Sequence, residues 1–180
     1  DYWTNNVVAT YRIFKQFDKG PKILYASSST AYEPWRNPYA MSKHYMETIA
    51  PHNALAMRFT TVYGPGAREK MLIPKILKND VDYINVDHSR DFIHIDDLLT
   101  AIGTLIINPI PRKPKFVDIG TGTSNNLLDI LSHLNMEVKD KRMGTIFERK
   151  DNKANIGTLT KMGWLPTINL LDYLKENYDN

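Results

Sequence analysis

Apolar positions along the chain alternate between helical spacing and short strand-length runs. Over residues 3–17, "WTNNVVATYRIFKQF", Val7, Tyr11 and Phe14 recur at helical intervals, which predicts a helix stopped by Gly20-Pro21. Residues 22–27, "KILYAS", form an apolar run of strand length. Asn37 suits an N-cap and Pro38 a first helical position, so a helix is expected over 38–50, ending before Pro51. "LAMRFTTV" (55–62) reads as the next strand and "YGPG" as a turn. A short helix over 70–79, a short strand over 82–86 and a helix over 96–107 follow. Asp96 and Asp97 fall in the first turn of that last helix, where acids favour the helix dipole and read as caps. After a linker marked by Pro109, Pro111 and Pro114, "KFVDIG" (115–120) reads as a strand running into the turn "GTGTSNN". A helix over 126–135 and two short helices hinged at Gly163–Pro166 complete the pattern.

Strands separated by helices predict an α/β fold with a parallel sheet, and such sheets bind ligands at the carboxyl ends of their strands. Ser27 to Thr30 lie at the end of the first strand and Thr60 to Gly64 at the end of the second. The aromatics Tyr2, Trp3, Tyr11, Phe14 and Phe17 read as helix packing, and Trp35 as a loop residue that packs. "KNDVD" (78–82) and "KDKR" (139–142) read as solvated loops.

Composition narrows the function classes. The 180 residues are 42% hydrophobic and 24% charged, the balance of a globular domain. A net charge of +3 without clustering argues against a nucleic-acid partner. There is no cysteine, so disulfides and thiol catalysis are excluded. No apolar run approaches the ~20 residues of a membrane span, and no signal-peptide pattern opens the chain, so the expectation is a cytoplasmic protein with no membrane partner. His88 and His94 flank Arg90 without ligand spacing, and no metal site is expected.

The candidate chemistry centres on "SSSTAYEPWRNPYAMSK" (27–43). Tyr39 and Lys43 stand four apart in a predicted helix and share a face. An ammonium beside a phenol favours phenolate by attraction, and a phenolate can take a proton from a sugar hydroxyl. Ser28 at a strand end could hold that hydroxyl. Tyr11 and Lys15 repeat the spacing without strand-end hydroxyls and read as structural, with Tyr11 in the core.

"ILYASSSTAY", "NPYAMSK", "MRFTTVYGPG" and "RDFIHIDDLLTA" together resemble the extended short-chain dehydrogenase/reductase family, in particular its nucleotide-sugar epimerases and dehydratases. "NNVVAT", "FVDIGTGTSNNLLDI" and "LTKMGWLPTINLLDYL" resemble further motifs of that family, in order along nearly the whole chain. The resemblance implies the carboxy-terminal half of a Rossmann-type doubly wound parallel sheet, with a small substrate-binding subdomain. Residues 1–64 would be the second half of the NAD-binding domain. Residues 65–180 would form the substrate-binding region, with 90–122 returning to the first domain. It implies bound NAD and a nucleotide-diphosphate sugar as partner. Tyr39 would be the general base, with Lys43 and Ser28 as the other catalytic groups. Asn6, Ser27, Tyr39, Lys43 and Phe59 would face the cofactor. Thr30, Thr61, Arg90 and Arg149 would face the substrate, the arginines gripping its diphosphate. Members often dimerise through two helices, here 3–17 and 38–50.

Three departures qualify the resemblance. The family's Gly-x-x-Gly-x-x-Gly turn for the NAD pyrophosphate is missing, so the chain reads as a fragment with an exposed strand edge and weak NAD binding alone. The loop from Ser28 to Tyr39 is short, and Glu33 replaces the usual Gly after Tyr32. Ser29 and Thr30 stand where sugar 4,6-dehydratases carry an Asp-Glu pair, which disfavours elimination of water and favours epimerisation. "FTTVYGPGAREKM" resembles the uronate 4-epimerase version of its motif. Reductases share the Ser-Tyr-Lys set, so a nucleotide-sugar reductase or dehydratase remains an alternative, as does a non-catalytic sugar-nucleotide-binding remnant lacking the cofactor half.

Overall fold

The computed structural model describes residues 1–111 and 113–178. A π-helical segment, Trp3–Val8, continues into α1 (Ala9–Phe17). Then come β1 (Ile23–Ser28), two 3-10 turns at Ser29–Tyr32 and Pro34–Arg36, and α2 (Pro38–Thr48). The expected strand over 55–62 is two strands, β2 (Ala54–Phe59) and β3 (Thr61–Tyr63). They part at Thr60, whose N–H donates to Ile119 while that of Thr61 donates to Asp91, so each strand follows a different neighbour. Next are α3 (Leu72–Leu77), β4 (Tyr83–Asn85), β5 (Ser89–Arg90), β6 (Phe92–His94) and α4 (Ile95–Ile107). β7 (Phe116–Ile119), β8 (Asn125–Asn126), α5 (Leu127–His133), β9 (Asp140–Arg142), α6 (Gly157–Lys161) and α7 (Leu170–Asn177) complete the order.

The main sheet is parallel, in the order β1-β2-β7, with Tyr25 beside Ala56 and Ala56 beside Phe116. Strand alternation sends Leu55, Met57, Val117 and Ile119 to one face, where Leu98, Ala101 and Leu105 of α4 cover them with Leu159 and Trp164. Each fully buried side chain of this kind contributes about 1.5–3 kcal/mol. The opposite face is covered by α1 and α2. There Phe14 meets Tyr25 edge-on at 5.1 Å, and Glu47 reaches Arg58. Helices on both faces make the sheet doubly wound. Among the described residues β1 has no strand on its outer edge.

A second core lies beyond the strand tips. Tyr63, Ile73, Ile76, Ile84, Phe92, Leu131 and Leu174 pack together there. Three two-stranded pairs, β3-β6, β4-β9 and β5-β8, carry the chain across this region.

Four expectations are corrected. Asp97 does not cap α4. It is buried, and its carboxylate accepts from Thr167 N at 3.0 Å, Thr167 Oγ1 at 2.9 Å and Ile168 N at 2.9 Å, tying down the segment before α7. The cap is His94, whose Nδ1 accepts from Asp96 N. "KDKR" is not a free loop, because β9 pairs with β4 in parallel. Of the amino-terminal aromatics only Phe14 is buried, and Tyr11 is exposed with the rest. The first helix covers the sheet with one narrow stripe, so its other faces stay in solvent. Trp35 is 72% exposed and does not pack, whereas Glu33 and Arg36 on either side of it line the cavity.

The glycine-rich turn after β7 is filled from within. Asp91 is fully buried, and its carboxylate accepts from Thr121 N and Oγ1 at 2.8 Å, Gly122 N at 2.9 Å and Ala154 N at 3.0 Å. Gly120 makes this approach possible. A Cβ there would stand 2.7 Å from Ala154 Cβ, Asp91 Oδ2 and Thr60 Cγ2. Gly120→Ala is therefore expected to cost about 1–3 kcal/mol of stability by overpacking. A denaturation midpoint equal to that of the parent chain would contradict this close fit.

Candidate active site

A cavity of about 560 Å³ opens at the carboxyl ends of β1 and β2. Ser28, Thr30, Tyr39, Phe59, Thr61, Arg90 and Arg149 all line it, although they come from four separate stretches of chain. Ser28 ends β1 and caps the first 3-10 turn. Its Oγ accepts from Thr30 N at 3.2 Å and from Thr30 Oγ1 at 3.0 Å, which leaves its own O–H available as a donor. Tyr39 sits in the first turn of α2. The Asn37 side chain starts that helix by accepting from Ala40 N at 2.8 Å, with Pro38 at the first helical position.

Lys43 stands one turn beyond Tyr39, with Nζ 5.7 Å from the Tyr39 ring centroid. It donates to the Ala26 carbonyl at 3.0 Å and lies beside the cavity. Burial pushes the Lys43 ammonium below the usual lysine range, and the Glu47 carboxylate pulls the other way. Asn6 does not reach the cavity. Its Nδ2 donates to Ser42 Oγ at 3.0 Å, and Ser42 donates to the Tyr39 carbonyl at 2.8 Å, so Asn6 holds the backbone that carries Tyr39. Ser27 touches the cavity wall, but its hydroxyl donates away from it to Glu47 Oε1 at 2.5 Å.

Behind the strand tips runs a polar chain, buried at Arg58 and Asp118 and reaching solvent at Tyr32, that the sequence reading did not single out. Glu47 pairs with Arg58 through Nε at 2.9 Å and Nη2 at 2.5 Å. The Arg58 guanidinium lies 4.1 Å from the Tyr32 ring centroid and 3.6 Å from that of Phe116. Tyr32 donates to Asp118 at 2.9 Å, and Asn155 N donates to the same carboxylate at 2.9 Å. Burial pushes the Asp118 carboxyl up, and these two donors oppose that shift. The chain pins the Ser29–Tyr32 turn to the sheet and so fixes the floor beneath Ser28.

The cavity wall is cationic. Arg36, Arg68, Arg90 and Arg149 line it, against only Glu33 and Glu148. Arg90 is anchored, with Nη1 donating to the carbonyls of Ser89 at 2.8 Å and Lys150 at 3.0 Å, and Nη2 to His88 Nδ1 at 3.0 Å. Arg149 donates through Nη1 to the Ser29 carbonyl at 2.5 Å, while its buried Nε has no hydrogen-bond acceptor among the described residues. Sequence reasoning missed Arg36 and Arg68. The available signal was position, since Arg68 stands two residues after the strand-end turn Tyr63–Gly66.

His88 is 1% exposed and supports Arg90. Its Nδ1 faces two donors, Arg90 and Asn85, so the ring is neutral with its proton on Nε2. Gly144 leaves room for that edge, where a Cβ would stand 1.9 Å from Nε2. Burial first, and the Arg90 charge second, hold His88 below the usual histidine value of about 6.5, against Glu148 and Asp87. As pH falls below about 6.5 the unfolded chain takes up this proton before the folded one does, so stability is lost there and is full above it. Denaturation at pH 7.5 and 5.5 should show a smaller acid loss for His88→Gln than for the parent; equal losses would contradict a buried neutral ring.

Comparison with known proteins gives a consistent picture. The pattern of the NAD dependent epimerase/dehydratase family matches residues 1–120. A CDP-abequose synthase of Salmonella typhimurium is 30% identical over 177 residues, covering 84% of this chain and 57% of that protein. A UDP-glucuronate 4-epimerase of Thermodesulfobacterium geofontis is 27% identical, covering 97% of this chain and 64% of that protein. The chain spans about half the length of the curated relatives it matches. Among solved structures, a UDP-glucuronic acid 4-epimerase of Bacillus cereus, in complex with a fluorinated substrate analogue and NAD, superposes with a TM-score of 0.81 at 23% identity. That match covers 97% of this chain and 66% of the other. An NAD-dependent NDP-hexosamine 5,6-dehydratase, TunA, gives 0.80 at 22% identity, covering 96% and 67%. These superpositions establish the fold as the Rossmann type.

Proposed function

The chain belongs to the NAD dependent epimerase/dehydratase family, and from that premise we propose that its cavity takes a nucleoside-diphosphate sugar and that the whole protein epimerises it at C4 with Tyr39 as general base. The observation that carries this reading is the meeting of Ser28 and Tyr39 in one cavity with four arginines. The arginines suit a diphosphate. The phenol and the strand-tip hydroxyl suit a sugar alcohol that must lose a proton and regain it.

The residues present fit the reactive end of NAD. Tyr39 and Phe59 line the wall at the strand tips, and Lys43 stands beside them. The amides of Thr121 and Gly122 in the turn after β7 are not open to its pyrophosphate, because the Asp91 carboxylate accepts from them. NAD, when bound, supplies the hydride acceptor and donor for sugar C4. Ser28 donates a hydrogen bond to the C4 oxygen and holds it toward Tyr39. Tyr39 takes the hydroxyl proton as the alcohol is oxidised, and returns it to the C4 oxygen once the ketone has turned to offer its opposite face for reduction. Lys43 keeps positive charge beside the phenolate. Ser29 and Thr30 offer no carboxyl acid or base next to Ser28, and Glu33 is engaged by Arg36 and Arg149. Elimination of water therefore lacks its proton carriers.

A second reading, net reduction or oxidation at C4, draws support from the relative named as GDP-6-deoxy-D-talose 4-dehydrogenase. Incubating the catalytically competent protein with UDP-glucuronate or UDP-glucose and following C4 by proton NMR separates the two. Epimerisation interconverts the C4 epimers with no net change in NADH. A requirement for added reduced cofactor, or its accumulation, favours the second reading. We also propose the domain division at residues 64 and 65 and pairing of two copies through the first helix and α2, where Tyr2, Trp3, Tyr11 and Tyr45 are exposed. Sedimentation of Trp3→Asp as a monomer beside a dimeric parent is the expected result; a monomeric parent overturns the pairing.

A further inference from the structure

Glu33 is the acid that stands where the resembling family has glycine, and it lies in the wall of the cavity. Its carboxylate is bound by Arg36 through Nε, and Arg149 Nε stands 3.4 Å from its other oxygen. All three side chains are a quarter exposed or less, so their charges act through a poorly screened medium. The two contacts differ in kind. Arg36 makes a hydrogen-bonded pair, whereas Arg149 Nε is close to the carboxylate without a hydrogen bond to it and has no other acceptor. The Arg149 charge is thus balanced while its donor stays unused.

We propose that Glu33 is a resident counter-ion that pairs with the Arg149 and Arg36 charges and competes with the diphosphate of the ligand for them. This rests on the reading of Arg149 as a diphosphate ligand. A phosphate oxygen that reaches Arg149 Nε gains the hydrogen bond that Glu33 does not make. It also meets a neighbouring carboxylate of like charge, so binding requires the Glu33 side chain to turn away or to tolerate the repulsion. Glu33 then weakens every anion in this cavity and leaves a useful affinity only for groups as highly charged as a diphosphate. The same position in a glycine-bearing protein would carry no such competitor.

The test is titration of the 180-residue chain with inorganic pyrophosphate, followed by calorimetry and phosphorus NMR. Glu33→Gln keeps the shape and removes the charge, and it should bind pyrophosphate at least about tenfold more tightly than the parent. Glu33→Gly should show the same gain and serves as the second variant if the amide disturbs the turn, with thermal melting as the check on folding. Arg149→Met should lose the tighter binding in both backgrounds. Pyrophosphate that binds through Arg149 but no more tightly to folded Glu33→Gln and Glu33→Gly overturns the proposal alone, because Glu33 would then organise the arginines rather than oppose the ligand. Binding unaffected by Arg149→Met, or no binding to parent and variants alike, overturns the Arg149 reading and the proposal with it.

Discussion

Tyr39→Phe should lower turnover of the competent enzyme by about 10²–10⁴-fold while leaving the affinity for nucleotide sugar nearly unchanged. The substitution removes one oxygen and keeps the ring, so its edge-on contact with Tyr2 at 5.3 Å survives. The helix start at Asn37 and Pro38 is also untouched. The effect should therefore fall on kcat and spare KM, which marks an interaction made in the transition state. Tyr63 provides the internal control. It lines the same cavity, but burial pushes its phenol upward and the Asp97 charge adds to that, so its phenolate is disfavoured. A Tyr39→Phe enzyme that still turns over beside an inactive Tyr63→Phe would remove Tyr39 from the role of base. Glu33 and Glu148 are the carboxylates lining the cavity. Glu33 is tied to arginine, and Glu148 accepts from Asn85, so neither stands as a ready substitute.

What could be read from the sequence was what depends on near neighbours in the chain. Asn37-Pro38 announced the helix that carries Tyr39, because capping and a fixed proline φ act within one turn. The short apolar runs announced β1, β2 and β7, and their order placed Ser28, Phe59 and Thr61 at one end of the sheet. Residues whose partners lie far along the chain were not legible. Asp97 looked like a cap because its near surroundings are those of a cap, yet it serves residues 167 and 168. "KDKR" looked solvated because its pairing with residues 83–85 leaves no periodic trace in so short and charged a strand. Asn6 was expected to face the cofactor because its motif resembles the family's, but its distant partner Ser42, through which it holds the Tyr39 backbone, was not legible. The arginine-rich wall combines residues from four separate stretches of chain, so its charge emerges only when the cavity is assembled.

The largest loss of stability is expected from Asp91→Ala, at about 3–5 kcal/mol. Three backbone amides, of Thr121, Gly122 and Ala154, and the Thr121 hydroxyl all donate to this one carboxylate. Alanine leaves them without this acceptor, the Ala154 amide in a buried position, at about 1–3 kcal/mol for each group that water cannot reach. Against a total of about 5–15 kcal/mol for an ordinary domain, that is a large share. Asp91→Asn should cost less, since one oxygen still accepts, but its amide nitrogen must face a backbone donor on the other side. Hydrogen exchange should place the damage, with protection lost at residues 121, 122 and 154 before the sheet core. The cavity should suffer too. Ala154 N donates to the Asp91 carboxylate, so alanine removes one anchor of the segment that carries Arg149, although the Asp91 N–H bond to Asn152 is kept. Pyrophosphate affinity and stability should therefore fall together in Asp91→Ala. A variant as stable as the parent, with the turn still protected, would mean that the carboxylate is not what satisfies those amides, and the turn would again be free to receive a ligand phosphate.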